Sequence, residues 1–428
     1  MVFKITDKWK KLLFTVIALY IAIRVGVQDE LVLLGCAFLL LLLIINYKYV
    51  VFPKIMGFKI YAISIAIMLI YGMVSAEVNN YIKGMFHVVS VVVVVIVGYY
   101  LCVMTGDKKS LFLTMEICGI LMSITTFVRA LMNFGELKDI EGLRLYFGAQ
   151  VYELSVIFVV LLFLCVYKKK VIATRFIDIF AIVLLGLNII VSLGRAQIFA
   201  ILFVLALMNL LNFIFEKNKL RVLRRFSIVL IALVVLIGSV AYFMPYDIKE
   251  TFFQKTENSS MELNSNATFK HEKDIYNNWR GYEIKNAQKQ WRKYNTFEMV
   301  FGGGVQKQIK ISNLPSHFTR GAGYTFQDNK SPILHNGYYT LLVKGGVLAI
   351  IGVLIWLLAP LFMIFWKKND EESKDILLLM ISLNAMYIIY TYVVRGVVDQ
   401  IIHLSYGLTI GWLNACYYNP DIRSKMYE

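Results

Sequence analysis

Charged side chains are scarce in this 428-residue chain: Asp, Glu, Lys and Arg make up 17% of it, against about 25% in an ordinary soluble domain. So little charge excludes both a soluble globular domain and a disordered chain. Cysteines are few as well, and the five present, Cys36, Cys102, Cys118, Cys165 and Cys416, all lie in or at the end of apolar runs. That placement leaves no disulfide framework and no Cys-x-x-Cys metal motif. The chain also lacks an internal repeat, a heptad array and a low-complexity tract. No small-residue cleavage site follows the first apolar run, which therefore reads as a span and not as a removed signal peptide. What fills the sequence is apolar: 59% hydrophobic residues and a mean hydropathy of +0.65. This is the composition of an all-α polytopic membrane protein.

A helix needs about 20 apolar residues to cross the hydrocarbon core. Twelve runs come near that length: 12–27, 31–46, 59–75, 86–104, 111–133, 150–167, 175–192, 196–215, 226–244, 338–366, 376–394 and 400–418. None alternates in the way of a barrel strand, so all are expected as helices. Lys and Arg then orient them. With the N-terminus in the cytoplasm, the cytoplasmic connections carry 23 Lys and Arg and the short outer loops carry 5. The formal charge of +16 is thus mostly topology, and nucleic acid is not an expected partner. The expected organisation is nine spans over 1–244, one large, partly helical extracytoplasmic loop over 245–337, and three spans with a cytoplasmic C-terminus over 338–428.

Ionisable groups in a membrane cost about 2.5–3.5 kcal/mol each on insertion scales, which makes them functional candidates. Arg24, Arg129, Arg144, Glu153, Arg195, Lys344, Arg395, Asp399 and His403 all fall at or within about two turns of the outer face. The bland alternative is that long side chains snorkel to the nearest interface. No ionisable group lies at mid-membrane, which argues against an ion-coupled transporter. A cluster of fixed cations at the outer face suits a ligand with several negative charges, such as a lipid pyrophosphate, because guanidinium groups bind phosphate oxygens in pairs.

The large loop holds three further features. Tyr276 to Tyr294 reads as a helix with Arg280, Ile284, Ala287 and Trp291 on one face. It either lies on the membrane domain with Arg280 as an anchor, or aims Arg280 into the same outer cavity as Arg195. Gly302, Gly303 and Gly304 form either a plain turn or a nest of N–H groups that holds an anion. His335-Asn336-Gly337-Tyr338 precedes a long span. Asn336 can cap that helix, and His335 is held at the membrane face, as a structural residue or as a base toward a hydroxyl.

In their order these segments resemble the O-antigen polymerase and O-antigen ligase superfamily of bacterial membrane glycosyltransferases. Ser192-Leu193-Gly194-Arg195-Ala196 is similar to a Ser-x-Ser-Arg-Gly type motif at the outer start of a span. Arg280 with Trp291 and the Gly302–Gly304 turn resembles the arginine–glycine section of the large loop. His335-Asn336-Gly337-Tyr338, followed by Leu341 to Val347, resembles the His-Asn motif that leads into a span with paired glycines. Gly194 stands where the family often has Ser or Thr, and Lys344 where many members carry an acidic or neutral residue. No Asp-x-Asp pair appears, in keeping with a metal-independent family. The resemblance implies a GT-C type fold, no metal and no cofactor, and an undecaprenyl-diphosphate-linked oligosaccharide as substrate. Arg195 and Arg280 would grip its pyrophosphate, with Arg144, Lys344, Asn336 and Gly302–Gly304 as further binding residues. His335 would activate the acceptor hydroxyl, and the reaction would invert the anomeric carbon. The expected activity is a polysaccharide polymerase at the outer face of the cytoplasmic membrane, making capsule or O-antigen, with a chain-length-regulating co-polymerase as partner. The alternatives are a ligase that moves the glycan to a lipid A core and a flippase for lipid-linked oligosaccharides.

Overall fold

The computed structural model describes residues 53–74, 78–106, 109–137, 139–148, 150–216, 218–312, 329–367, 369–398 and 404–420. The runs 12–27 and 31–46, with Arg24, Asp399 and His403, lie outside the described residues. Over its described residues, each of the other ten apolar runs is helical. In chain order these are α1 (Phe58–Val74), α2 (Val78–Thr105), α3 (Lys109–Met132), a short α4 (Ile140–Phe147), and α5 (Val151–Leu161) continued by a π turn at Leu162–Tyr167. Next come α6 (Arg175–Val191), α7 (Arg195–Phe215) and α8 (Lys219–Phe243). The segment 245–336 holds α9 (Tyr246–Glu257), α10 (Ser259–Glu262), α11 (Glu272–Asn277), α12 (Trp279–Trp291) and α13 (Thr296–Phe301). It also holds a two-residue antiparallel strand pair, β1 (Ile309–Lys310) with β2 (Lys330–Ser331). The chain closes with α14 (Gly337–Trp366), α15 (Glu371–Val394) and α16 (Leu404–Tyr418).

Six of these helices, α2, α3, α7, α8, α14 and α15, are long and apolar enough to cross a membrane. A seventh span results if α4 and the α5–π unit, bent by 63°, count as one. The difference from the expected twelve has a simple origin. Two runs are outside the described residues, and α1, α6 and α16 are described over 17, 17 and 15 residues, fewer than the about 20 that a hydrocarbon core takes. Helix ends follow local capping more than hydropathy. Thr174 Oγ1 accepts from Ile177 N–H to start α6, and Asp370 Oδ1 accepts from Ser373 N–H to start α15 five residues before its apolar run.

The protein is an all-α membrane protein, and α8 shows it most directly. Its sequence is apolar from Phe226 onward, yet in the whole helix only Val222 and Val229 are buried, while Ile231, Val234 and Val235 lie exposed. A helix of that kind is stable where its surroundings are lipid. The core sits elsewhere, where α16 packs along α2, α1 along α14, and α15 against both α14 and α7. Tyr61 of α1 stacks on Trp356 of α14 at 5.5 Å between ring centroids. The 245–336 segment has a smaller apolar cluster of its own, in which Tyr282, Ala287, Tyr294, Ile309 and Leu334 rest on Val343 of α14.

One break in α14 fixes that segment to the helices. Gly346 has φ 64° and ψ −163°, a conformation open to glycine. The break interrupts the i→i−4 ladder, so the Val343 and Lys344 carbonyls are free to accept from Gly303 N–H and Gly304 N–H, both at 2.9 Å. The approach is close enough that a Cβ on Gly302 would stand 2.2 Å from Lys344 O, and one on Gly346 2.3 Å from Val300 O. The Gly302–Gly304 triplet is therefore a docking turn. The N–H groups of Gly303 and Gly304 point into α14 and not toward an anion.

Candidate active site

The turn between α6 and α7 builds the first part of the site. Ser192 Oγ donates to Ile189 O at 2.6 Å and accepts from Gly194 N–H at 3.3 Å, while Leu193 takes φ 50°. The turn ends in Arg195, the first residue of α7. Arg144 of α4 donates through Nη2 to Leu193 O at 3.3 Å, which holds a second guanidinium beside the same turn. Gly194 is explained by its neighbour, because a Cβ there would stand 2.1 Å from Gln197 Oε1. The space a Ser or Thr would take is thus filled by a Gln side chain that itself lines the site.

Arg144, Arg195 and Arg280 open into one cavity of about 1370 Å³. Arg280 comes from the first turn of α12, so the 245–336 segment and the helix bundle each supply cations. The remaining wall is largely apolar, with Ile350 and Leu354 of α14 and Ile388, Ile389, Tyr392 and Val393 of α15. A cavity cationic at one end and hydrocarbon along its side matches an anionic head on a lipid chain.

A carboxylate lies between two of the arginines. Arg195 Nη2 donates to Glu262 Oε1 and Oε2 at 2.9 and 3.3 Å, and Arg280 Nη1 stands 3.7 Å from Glu262 Oε2. Arg195 Nη1 also donates to Ser259 Oγ at 2.6 Å and to the Lys255 carbonyl. Three guanidinium groups against one carboxylate leave the cavity with excess positive charge.

The second part of the site is a histidine–carboxylate pair, of which the sequence pointed to His335 but not to Glu283. His335 lies just before α14, where Asn336 caps the helix by accepting from Tyr339 N–H at 3.2 Å. His335 N–H donates to Glu283 Oε2 at 3.0 Å, and Nδ1 lies 3.1 Å from both Glu283 oxygens. Glu283 is 2% exposed and the His335 side chain 26%. A carboxylate accepts only, so Nδ1 carries a proton toward Glu283, and in the neutral imidazole Nε2 is then the accepting nitrogen. Glu283 is three residues after Arg280 on the same face of α12. Tyr338, three residues after His335, lines the arginine cavity, as does Arg280. The pair is therefore flanked by cavity residues on both of its elements.

Other expected residues go elsewhere. Lys344 is 1% exposed, and its ammonium donates to the Val305 and Lys307 carbonyls, the latter at 3.0 Å. It clamps the turn after Gly304 onto α14 and does not reach the cavity. Asn336 Nδ2 is buried with no hydrogen-bond partner among the described residues. Glu153 is buried and accepts from Leu404 N–H and Ser405 N–H at 3.1 and 2.9 Å, which anchors the start of α16. Burial raises the Tyr282 pKa above its usual value, which keeps that phenol a donor, here to the Ser312 carbonyl. Among the described residues no group of three or more His, Cys, Asp or Glu side chains is placed to hold a metal ion.

Residues 180–357 match the family model described as O-antigen ligase. The matched stretch runs from α6 into α14 and contains Arg195, Glu262, Arg280, Glu283 and His335, while Arg144 lies before it. No curated protein matches the chain.

Proposed function

Because residues 180–357 match the O-antigen ligase family model, we propose that the chain is a membrane glycosyltransferase of the O-antigen polymerase and ligase superfamily that moves a glycan from undecaprenyl diphosphate to an acceptor hydroxyl, as a polysaccharide polymerase. The observation that carries this reading is the pairing of sites: a three-arginine cavity with a hydrocarbon wall, and a His335–Glu283 pair between residues that line it.

In this reading the lipid chain lies along α14 and α15 while its diphosphate takes the place of the Glu262 carboxylate between Arg195 and Arg280. An acceptor hydroxyl attacks the anomeric carbon from the face opposite the diphosphate. Its proton passes to His335 Nε2 as the new C–O bond forms. The bond between the anomeric carbon and the phosphate oxygen breaks, and the electron pair leaves with undecaprenyl diphosphate. Fixed guanidinium groups stabilise the charge that develops on that oxygen. Glu283 holds the imidazole in the tautomer the step needs and stabilises the imidazolium that forms. Attack from the opposite face inverts the anomeric centre.

The same reading sets the chain in the cytoplasmic membrane as a GT-C type transferase, with 245–337 outside and both ends inside. The distribution of Lys and Arg supports that orientation. The ligase is the second reading, favoured by the description of the matched family. Purified protein in liposomes with an undecaprenyl-diphosphate-linked repeat unit separates the two. Release of undecaprenyl diphosphate without any added lipid A core supports the polymerase, and release that requires the core supports the ligase. No release with either acceptor would overturn both.

A further inference from the structure

Beyond the arginine cavity, the 245–336 segment carries a second concave surface of different chemistry. Two adjoining clefts, of about 400 and 480 Å³, share Glu298, Lys307 and Lys310 and are in the size range of small-molecule sites. Around them stand five lysines, Lys289, Lys293, Lys307, Lys310 and Lys330, and one carboxylate, Glu298. Among the described residues none of the five lysines makes an ion pair. The arginines of the other cavity, by contrast, share a carboxylate. The charge is segregated along the chain as well. From 285 to 312 there are six Lys and Arg and a single acid, whereas 245 to 284 has seven acids and five bases.

The lysines stand on a fixed frame. Gln290 Oε1 accepts from Lys310 N–H at 2.9 Å and Gln290 Nε2 donates to Gln308 O at 3.1 Å, which laces β1 to α12. Lys344 holds the Lys307 carbonyl from below. Like charges brought together on a preorganised backbone repel one another, and a bound anion relieves that repulsion at little ordering cost. The rest of the lining has the groups that sugars need. Asn80 and Gln308, hydrogen-bonded to each other at 2.7 Å, and Gln306 place amides on the lining, and Tyr71 adds an aromatic ring.

The surface also lies in line with the reacting pair. Glu283, Asn286 and Gln290 fall on one face of α12, and Lys293 follows just past its end. At 1.5 Å per residue, Gln290 is about 10 Å along the axis from the Glu283 that holds His335. A chain entering or leaving the transfer site along α12 meets these lysines next.

We propose that this lysine-lined surface binds an acidic glycan, one that carries carboxylate or phosphate substituents, and so selects negatively charged repeat units for the transfer site. The glycan assignment rests on the reading of the chain as a glycosyltransferase. A phospholipid headgroup is the competing occupant, but it has no use for amides and an aromatic ring lining a cleft.

The test is a binding titration of the full chain in nanodiscs of neutral phosphatidylcholine, with tetragalacturonate as probe and its fully methyl-esterified form as a neutral control of the same backbone. The wild type binds the acid at least tenfold more tightly than the ester, and the difference shrinks as salt is raised. Lys307→Glu with Lys310→Glu removes that preference, Lys307→Arg with Lys310→Arg keeps it, and thermal unfolding verifies that both variants are folded. Equal binding of acid and ester, or a preference untouched by the double reversal, overturns the proposal. So does binding of phosphatidylglycerol vesicles that depends on these two lysines without binding of the acid. His335→Ala retains the preference, because the titration does not use transfer. A chain that binds the acid through its lysines and transfers nothing would therefore refute the proposed activity and leave this site standing.

Discussion

Glu283→Gln is the most informative single change, because it alters the reacting pair without disturbing the cations. The Glu283 carboxylate accepts from the His335 backbone N–H and faces its Nδ1 at 3.1 Å. A hydrogen bond to a charged group contributes about 1.5–3 kcal/mol, so losing the contact to Nδ1 corresponds to about 10- to 150-fold in rate, at about 1.4 kcal/mol per tenfold. The tautomer adds to this. If the new amide turns its oxygen to the backbone N–H, its NH2 faces Nδ1 and drives the ring proton to Nε2. The base is then blocked, and loss of a general base costs about 10²–10⁴. The expected result is a kcat lower by about 10²–10⁴ with the KM for donor changed by less than about threefold. Glu283→Asp, which keeps the charge at a longer reach, recovers part of the rate. Single-turnover transfer in liposomes measures both, and thermal unfolding verifies that the near-isosteric variant folds. A Glu283→Gln rate within about threefold of wild type would refute the orienting role.

Arg195→Ala and Arg280→Ala are each expected to lower kcat by about 10²–10³, the usual effect of removing one donor to a developing oxyanion. Arg280→Lys restores little, because an ammonium cannot make the paired contact; both are read as release of undecaprenyl diphosphate. Glu262→Gln removes the carboxylate that competes for Arg195 and Arg280, and is expected to tighten binding of undecaprenyl diphosphate by up to about tenfold. Weaker binding in that titration would mean that Glu262 positions the arginines and does not hold the place of the diphosphate. Gly346→Ala meets both a left-handed backbone and the Val300 carbonyl at 2.3 Å. It is expected to lose at least about 1–3 kcal/mol of stability, read as a lower unfolding midpoint, with the docking of the Gly302–Gly304 turn lost first.

The helices were legible in the sequence because lipid leaves the backbone no other choice and long apolar runs mark where that choice applies. Their ends were less so. The first residue of α15 depends on the Asp370 side chain, and the 63° bend after α4 has no hydropathy signal. Arg195 was visible as a charge at the mouth of a span. That Arg280 shares its cavity depends on how α12 lies against the bundle, and the sequence left two readings open there. Glu283 carried a usable sign, since it is three residues from Arg280 on one helical face. Its partner is 52 residues further on, and no local pattern joins the two. For the glycine triplet the sequence left a plain turn and an anion nest open, and Lys344 was expected among the binding residues. Their hydrogen bonds go instead to carbonyls within the fold, Val305 and Lys307 for the lysine, Val343 and Lys344 for the glycines. The break at Gly346 that frees two of those carbonyls is a feature of the folded chain alone.

In the proposed mechanism His335 serves as base in a transfer from a lipid diphosphate. That role is tested most directly by giving liposomes of wild type and of His335→Ala the same undecaprenyl-diphosphate-linked repeat unit and separating the products by length. Wild type is expected to give a ladder and the variant none, with donor binding equal in both. A ladder of full length from His335→Ala would contradict that role.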